Sequence, residues 1–278
     1  MARKSIGLSY INRDTPLHRM TGGAKILMVL FISLAAMITF DTRLLLVLVA
    51  LACTLFIIAK VRLQDMKLII VLMVIMMVLN TLITYLFSPE EGVRIYGTRL
   101  EYFHIIGRYT ITREQLFYQL NVTIKYFAIL PLALLFFVTT EPSEFAASLN
   151  KIGVNYKIAY SVSLALRYIP SVVREYDEIS KAQQARGVDI SKNARLSTRI
   201  KGVATILFPL IVTSIDRIDR ISGAMELRSF GKNPKRTWYR GRPFKAIDYI
   251  TIIISLLFIV ASLVMNFVNG GRFWNPFV

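Results

Sequence analysis

The chain has 278 residues, of which 55% are hydrophobic, yet it carries a formal charge of +17. It is too apolar for an ordinary soluble domain and too basic for a neutral one, so the two properties belong to different stretches. A single cysteine, Cys53, excludes a disulfide framework and a cysteine-based metal site.

In chain order, Met1–Lys25 is polar and lacks the short apolar core and small-residue cleavage site of a secretory leader. Insertion is therefore expected through the spans themselves. Crossing ~30 Å of hydrocarbon takes ~20 apolar helical residues. Five stretches approach that length: Ile26–Phe40, Leu44–Ala59, Leu68–Phe87, Val122–Val138 and Ile247–Val268. Only Asp41-Thr42-Arg43 separates the first two, which predicts a tight helical hairpin. Cys53 lies in the second span and reads as packing. Met66, Met73, Met76 and Met77 mark the third, a composition suited to packing or to an adaptable docking face rather than to a metal path. The fourth carries Lys125, close enough to its start to snorkel to the interface.

Loop charges set the expected orientation. Residues 1–25 hold Arg3, Lys4, Arg13, Arg19 and Lys25, and the loop after the second span holds Lys60, Arg62 and Lys67. Residues 88–120 balance Arg94, Arg99, Arg108 and Arg113 against four glutamates, whereas residues 140–243 carry eighteen Lys/Arg against nine Asp/Glu. The positive-inside rule then puts the N-terminus and 140–243 in the cytoplasm and the C-terminus outside. Asn12 and Asn193 are expected inside, Tyr109 and Asn275 outside. The expected fold class is an all-α polytopic membrane protein of about five transmembrane helices with long cytoplasmic amphipathic helices. Its parts are a four-span bundle at 1–139, a cytoplasmic or interfacial region at 140–243, and a last span with a short external tail at 244–278.

The region 140–243 reads as helical. In "TEPS" at 140–143, Pro142 stops the preceding span and Ser143 is the expected N-cap of "EFAASLN". Gly153 breaks that helix. From Tyr156 a longer one begins, with the small residues Ala159, Ser161, Ser163 and Ala165 permitting close approach, and Pro170 kinking it. Beyond the proline it turns amphipathic, with Ile169, Val172, Val173, Tyr176 and Ile179 on one face. Gly187 ends it, leaving Arg186 in the last turn. A second unit repeats the pattern. Residues 203–215 are apolar but short and contain Pro209, a partly embedded rather than spanning segment. Ile211, Ile215, Ile218, Ser222 and Met225 then share a face until "LRSFG" closes the helix at Arg228, with Gly231 beyond.

Each arginine alone is a cation complementing the negative end of a helix dipole. Two at matching places, 42 positions apart, fit equally a pair of planar forks offered to carboxylates or backbone carbonyls of a second protein.

Five stretches, "TPLHRM" at 15–20, "SLALRYIP" at 163–170, "KAQQARG" at 181–187, "FPLIV" at 208–212 and "AMELRSFG" at 224–231, resemble in order and spacing the transmembrane T component of energy-coupling factor (ECF) transporters, over nearly the whole chain. The resemblance implies two Ala-Arg-Gly signatures that end coupling helices, each docking in a groove on one of two ABC-type ATPase subunits. Ala185, Arg186 and Gly187 match the first signature fully. Leu227, Arg228 and Ser229 keep only the arginine of the second. It further implies a membrane S component that binds a vitamin or transition-metal ion, with ATP and Mg held by the ATPases and no cofactor on this chain.

The residues agree with a non-catalytic part. There is no G-x-x-x-x-G-K-[ST] phosphate loop, so ATP hydrolysis is expected elsewhere. With His18 and His104 alone, a zinc-type catalytic site is not expected, and His18 reads as a hydrogen-bonding or packing residue. Ala159, Ser163, Val172, Tyr176, Ile211, Ile215 and Ile218 are the expected seat of the S component, since two amphipathic helices near the membrane plane offer a broad apolar platform.

Two rivals come from other classes. A basic anchor or insertase-like protein would need only clustered cations for lipid or ribosome, whereas nine acids are interleaved here. A conducting ABC permease would carry more polar residues inside its spans than Asn80, Thr81, Thr84 and Lys125. The run "KNPKRTWYRGRPFK" at 232–245, with Trp238 and Tyr239, reads as an interface anchor, so membrane lipid is an expected contact and nucleic acid is not.

Overall fold

The structure is a computed structural model that describes residues 15–60, 67–106, 109–191, 195–233, 237–238 and 241–277. Arg3, Lys4, Asn12, Arg13, Arg62, Met66, Arg108, Asn193 and Tyr239, with the other cations of 234–240, lie outside the described residues, as does the side chain of His104. The elements run α1 (Pro16–Arg19), α2 (Gly22–Ile38), α3 (Thr42–Ala59), α4 (Lys67–Phe87), α5 (Glu91–Tyr96), β1 (Glu101–Ile106), β2 (Tyr109–Thr112), α6 (Arg113–Thr139), α7 (Pro142–Lys151), α8 (Tyr156–Ala185), α9 (Leu196–Leu227) and α10 (Ala246–Val268). Among the described residues the fold is all-α apart from the β1–β2 antiparallel hairpin. Contacts divide it into two units, one from the described residues of 1–141 and 242–278, the other Pro142–Gly241.

Among the described residues, five helices are long and apolar enough to cross a membrane: α3, α4 from Ile70, α6, α9 and α10. The membership differs from the sequence expectation in one exchange. α2, expected to span, has 17 residues and falls just short, at a rise of ~1.5 Å each. α9 replaces the apolar piece expected at 203–215 with one continuous helix of 32 residues that runs through Pro209. A proline removes only one backbone bond, and Ile206 and Leu210 on either side of it are buried.

Two helix starts also differ from expectation. α6 begins at Arg113 rather than Val122, because the Thr112 hydroxyl caps it by accepting from Gln115 N (3.3 Å). The fully buried Glu114 carboxylate accepts from Thr98 Oγ1 (3.0 Å) and Leu100 N (3.1 Å), which ties the preceding loop to that first turn. α7 starts with Pro142 in its first position, so Ser143 lies inside the helix instead of capping it. Proline's missing N–H is harmless there.

In the first unit, Met28, Ile32 and Ala36 of α2 pack against Leu45, Leu48 and Ala52 of α3 and Ala128 and Leu132 of α6. Small residues let these helices approach closely, and polar bolts fix their register. Thr42 Oγ1 donates to Asn121 Oδ1 (2.7 Å), Ser262 Oγ to Ala35 O (3.0 Å), and the buried Lys25 Nζ to Thr139 O (2.7 Å). Asp248 accepts from Thr21 N (2.9 Å) and Lys245 N (2.8 Å), joining the starts of α2 and α10. In surroundings this apolar, an orphaned member of such a pair is expensive, so each bond specifies an arrangement.

Several sequence readings change place. Cys53 is exposed on α3, not packed. Met76 on α4 is 54% exposed, so that methionine faces outward, within the packing or docking-face reading. Lys125 holds its ammonium 3.1 Å from the centroid of the Phe40 ring, a cation–π contact rather than free snorkelling. His18 keeps its expected part: it is buried with Nδ1 2.6 Å from Thr15 Oγ1, a hydrogen-bonding and packing residue.

Candidate functional site

The second unit is built on α8 and α9. Asn155 starts α8 by accepting from Lys157 N (3.0 Å), and the helix continues for 30 residues through Pro170. It ends in a Schellman cap: Val188 N donates to Gln183 O and Gly187 N to Gln184 O, both at 3.0 Å. Arg186 is the C-cap, and Gly187 takes the left-handed conformation (φ +89°) that releases the chain from the helix.

The end of α9 has the same backbone. Phe230 N donates to Met225 O (3.0 Å) and Ser229 N to Glu226 O (2.8 Å), with Arg228 as C-cap. The helix closes at Arg228 as expected, and the left-handed residue after it is Ser229 (φ +53°), with Gly231 (φ +92°) beyond. The divergent Leu227-Arg228-Ser229 therefore reproduces the geometry of Ala185-Arg186-Gly187 and differs only in side chains. A Cβ in that conformation costs roughly 1–2 kcal/mol, which Gly187 avoids and Ser229 does not.

Different neighbours buttress the two ends. Val188 and Ile190 lie so close to Gly202 of α9 that a Cβ there would sit 3.2 Å from Val188 Cγ1 and 2.8 Å from Ile190 Cγ2. Phe230 instead packs its ring 4.8 Å from that of Tyr160 and 5.8 Å from that of Tyr156, at the start of α8. Trp238 extends this cluster, donating from Nε1 to Asn150 Oδ1 (3.0 Å).

All six signature residues are exposed, Leu227 by 90%. Beside Arg186 lies an open cleft of about 510 Å³ lined by Gln184, Gly187, Val188, Asp189, Ile190 and Ser191. Ser191 N donates to Asp189 Oδ1 (2.8 Å), and this bond holds the Asp189 carboxyl below its ordinary range. An anion of the cleft wall and the cation of Arg186 thus stand three residues apart in the chain, which suits a polar partner surface.

The expected S-component residues fall into three groups. Ile211, Ile215 and Ile218 are more than half exposed and share one side of α9 with Leu207 and Ile200, opposite buried Gly202, Ile206 and Leu210. Ser163, Val172 and Tyr176 are half-buried. Ala159 is completely buried, so it packs inside the fold and offers nothing to a docking partner.

The contact that sequence reading missed lies between the helices. Arg217 of α9 forms an ion pair with Glu175 of α8, each side chain about three-quarters buried, and its guanidinium stands 5.6 Å from the Tyr168 ring centroid. Both residues sit among other charges on amphipathic faces, so nothing local marks them out.

A family profile described as CbiQ, cobalt transport protein, matches residues 13–239. Relatives named energy-coupling factor transporter transmembrane protein EcfT include one from Limosilactobacillus fermentum, 39% identical over 119 residues, covering 41% of this chain and 44% of that protein. Those of Exiguobacterium sibiricum and Bacillus subtilis are 27% identical over 206 residues and 28% over 199, covering 71% and 68% of this chain and 74% and 71% of theirs. The chain belongs to this family of EcfT-like transmembrane components. As an EcfT-like protein it is a multi-pass membrane subunit of an ECF transporter.

Proposed function

We propose that this chain is the coupling scaffold of an ECF importer, carrying the ATP-driven motion of two ABC-type ATPase subunits to a substrate-binding S component that takes up a vitamin or transition-metal ion. ATP and Mg belong to the ATPases, and this chain catalyses no step. It sits in the cell membrane with α2, α3, α4, α6 and α10 crossing, the long α9 lying with α7 and α8 on the cytoplasmic side, the N-terminus cytoplasmic and the C-terminus external, an arrangement that the loop charges support.

One observation carries the reading: two exposed arginines, Arg186 and Arg228, stand at helix ends of the same Schellman geometry. A cap that serves only its own helix needs no such match. A pair of forks presented alike fits two related grooves on two related subunits. The exposed apolar side of α9, with Ile211, Ile215 and Ile218, is the seat of the S component, joined by Val172, Tyr176 and Ser163 of α8.

The test is substrate uptake in reconstituted vesicles together with ATPase co-purification, for Arg186→Ala, Arg228→Ala and both. Each single change should remove about 2–5 kcal/mol at one contact and leave one ATPase docked. The double change should abolish uptake while the chain still inserts. Lysine should rescue poorly, because a point charge cannot replace a planar fork. Near-normal uptake and co-purification by the double variant would reduce both arginines to helix caps. Ile215→Asp and Tyr176→Asp should release the S component and leave both ATPases bound.

A further inference from the structure

The ion pair of Glu175 and Arg217 sits at a particular place relative to the two arginine ends. Arg186 follows Glu175 by eleven residues, and Arg228 follows Arg217 by eleven. Eleven residues are about three full turns, so each terminal arginine lies over the same side of its helix as the pairing residue. Neither eleven-residue arm contains a proline, since Pro170 and Pro209 both precede the pair.

The surrounding contacts give the relative direction of the helices. Val188 and Ile190, just past the end of α8, meet Gly202 near the start of α9. Phe230, just past the end of α9, meets Tyr156 and Tyr160 at the start of α8. The helices therefore run antiparallel, and the ion pair joins them between those two contacts. One arm leads from the pair to Arg186 and the other leads the opposite way to Arg228. At ~1.5 Å per residue each arm is about 16 Å long.

We propose that the Glu175–Arg217 pair is a positioning brace that fixes the register of α8 against α9 and so holds the two coupling arginines at equal reach on either side of it. Apolar contacts alone specify register weakly, because one aliphatic residue substitutes for its neighbour when helices slide. A partly buried ion pair is directional, and sliding by one turn breaks it. Oε1 of Glu175 also lies 3.5 Å from Ser171 Oγ, which orients the carboxylate toward α9. The Tyr168 ring lies beside the guanidinium. The brace touches neither ATPase nor substrate and acts through Arg186 and Arg228, so its functional role rests on the coupling reading.

The test separates the two. Spin labels at Gln184 and Glu226, two residues before each arginine and both exposed, are placed in a Cys53→Ser chain within the assembled complex. The inter-label distance is measured by pulsed electron resonance. Arg217→Gln and Glu175→Gln should at least double the width of the distribution, and Glu175→Arg combined with Arg217→Glu should restore it. In unlabelled complexes the single changes should keep both ATPases bound yet lower substrate taken up per ATP hydrolysed by about tenfold. The swapped pair should recover to within about threefold. An unchanged distance distribution in Arg217→Gln overturns the brace. A broadened distribution with normal uptake per ATP overturns its positioning role. If Arg186→Ala/Arg228→Ala retains both ATPases, the coupling reading fails, while the distance measurement still decides whether the brace exists.

Discussion

The ends of α8 and α9 share a backbone and differ in what secures it. At the first, a glycine adopts the left-handed conformation without strain, and two aliphatic side chains fill the space over Gly202. At the second, a serine accepts the strained conformation, and the rings of Tyr156, Tyr160 and Phe230 hold the chain in place. The comparison teaches that the signature is a geometry before it is a sequence. An arginine at the C-cap followed by a left-handed residue keeps the same backbone turn whether that residue is Gly187 or Ser229, provided tertiary packing supports the turn.

Substitutions at the two ends sharpen or break that equivalence. The largest effect is expected from Phe230→Ala, which removes both ring contacts and should cost about 3 kcal/mol. It should loosen the Arg228 end alone, so ATPase docking at Arg186 should survive; loss of both would mean that the ends are not independent. Gly187→Val forces a branched Cβ into the left-handed region and should cost about 2 kcal/mol, read as a lowered midpoint of thermal unfolding in detergent. Val at position 229 should cost less than that, because serine already bears part of the strain. Gly202→Ala places a methyl against Ile190 and Val188, side chains that can shift, and should cost about 1 kcal/mol at the first end only. The smallest effect has the opposite sign: Ser229→Gly relieves strain and should stabilise by about 0.5 kcal/mol after the entropy of the unfolded glycine is subtracted. A destabilised Ser229→Gly would mean that the serine hydroxyl, not the backbone, matters there.

The sequence was readable where a residue type forces a conformation. Gly187 ends α8 as expected, Asp41 turns the α2–α3 hairpin, and four of the five expected spans, α3, α4, α6 and α10, carry the apolar length for a membrane. It was misleading where context overrides type. Ser229 gives no sign of a left-handed residue, although the helix does close at Arg228 as expected. Pro209 and the short apolar run at 203–215 point to a partly embedded segment, whereas α9 runs through the proline for 32 residues. The first turns of α6 are polar and invisible to hydropathy, although Thr112 and Glu114 build them. Ala159 was assigned to a docking face by its small size, the same property that buries it. The Glu175–Arg217 pair joins residues 42 positions apart, and no local pattern announces such a contact.

The central claim is that the two arginine ends meet ATPase subunits, and site-specific photocrosslinking tests it most directly. A photoreactive phenylalanine analogue at Ala185 or at Leu227, each exposed beside its arginine, is activated in membranes carrying the full transporter. The account predicts that both positions crosslink to ATP-binding subunits, with each yield reduced when the adjacent arginine is replaced by alanine. Crosslinks confined to lipid, to ribosomal components or to the substrate-binding subunit would contradict it.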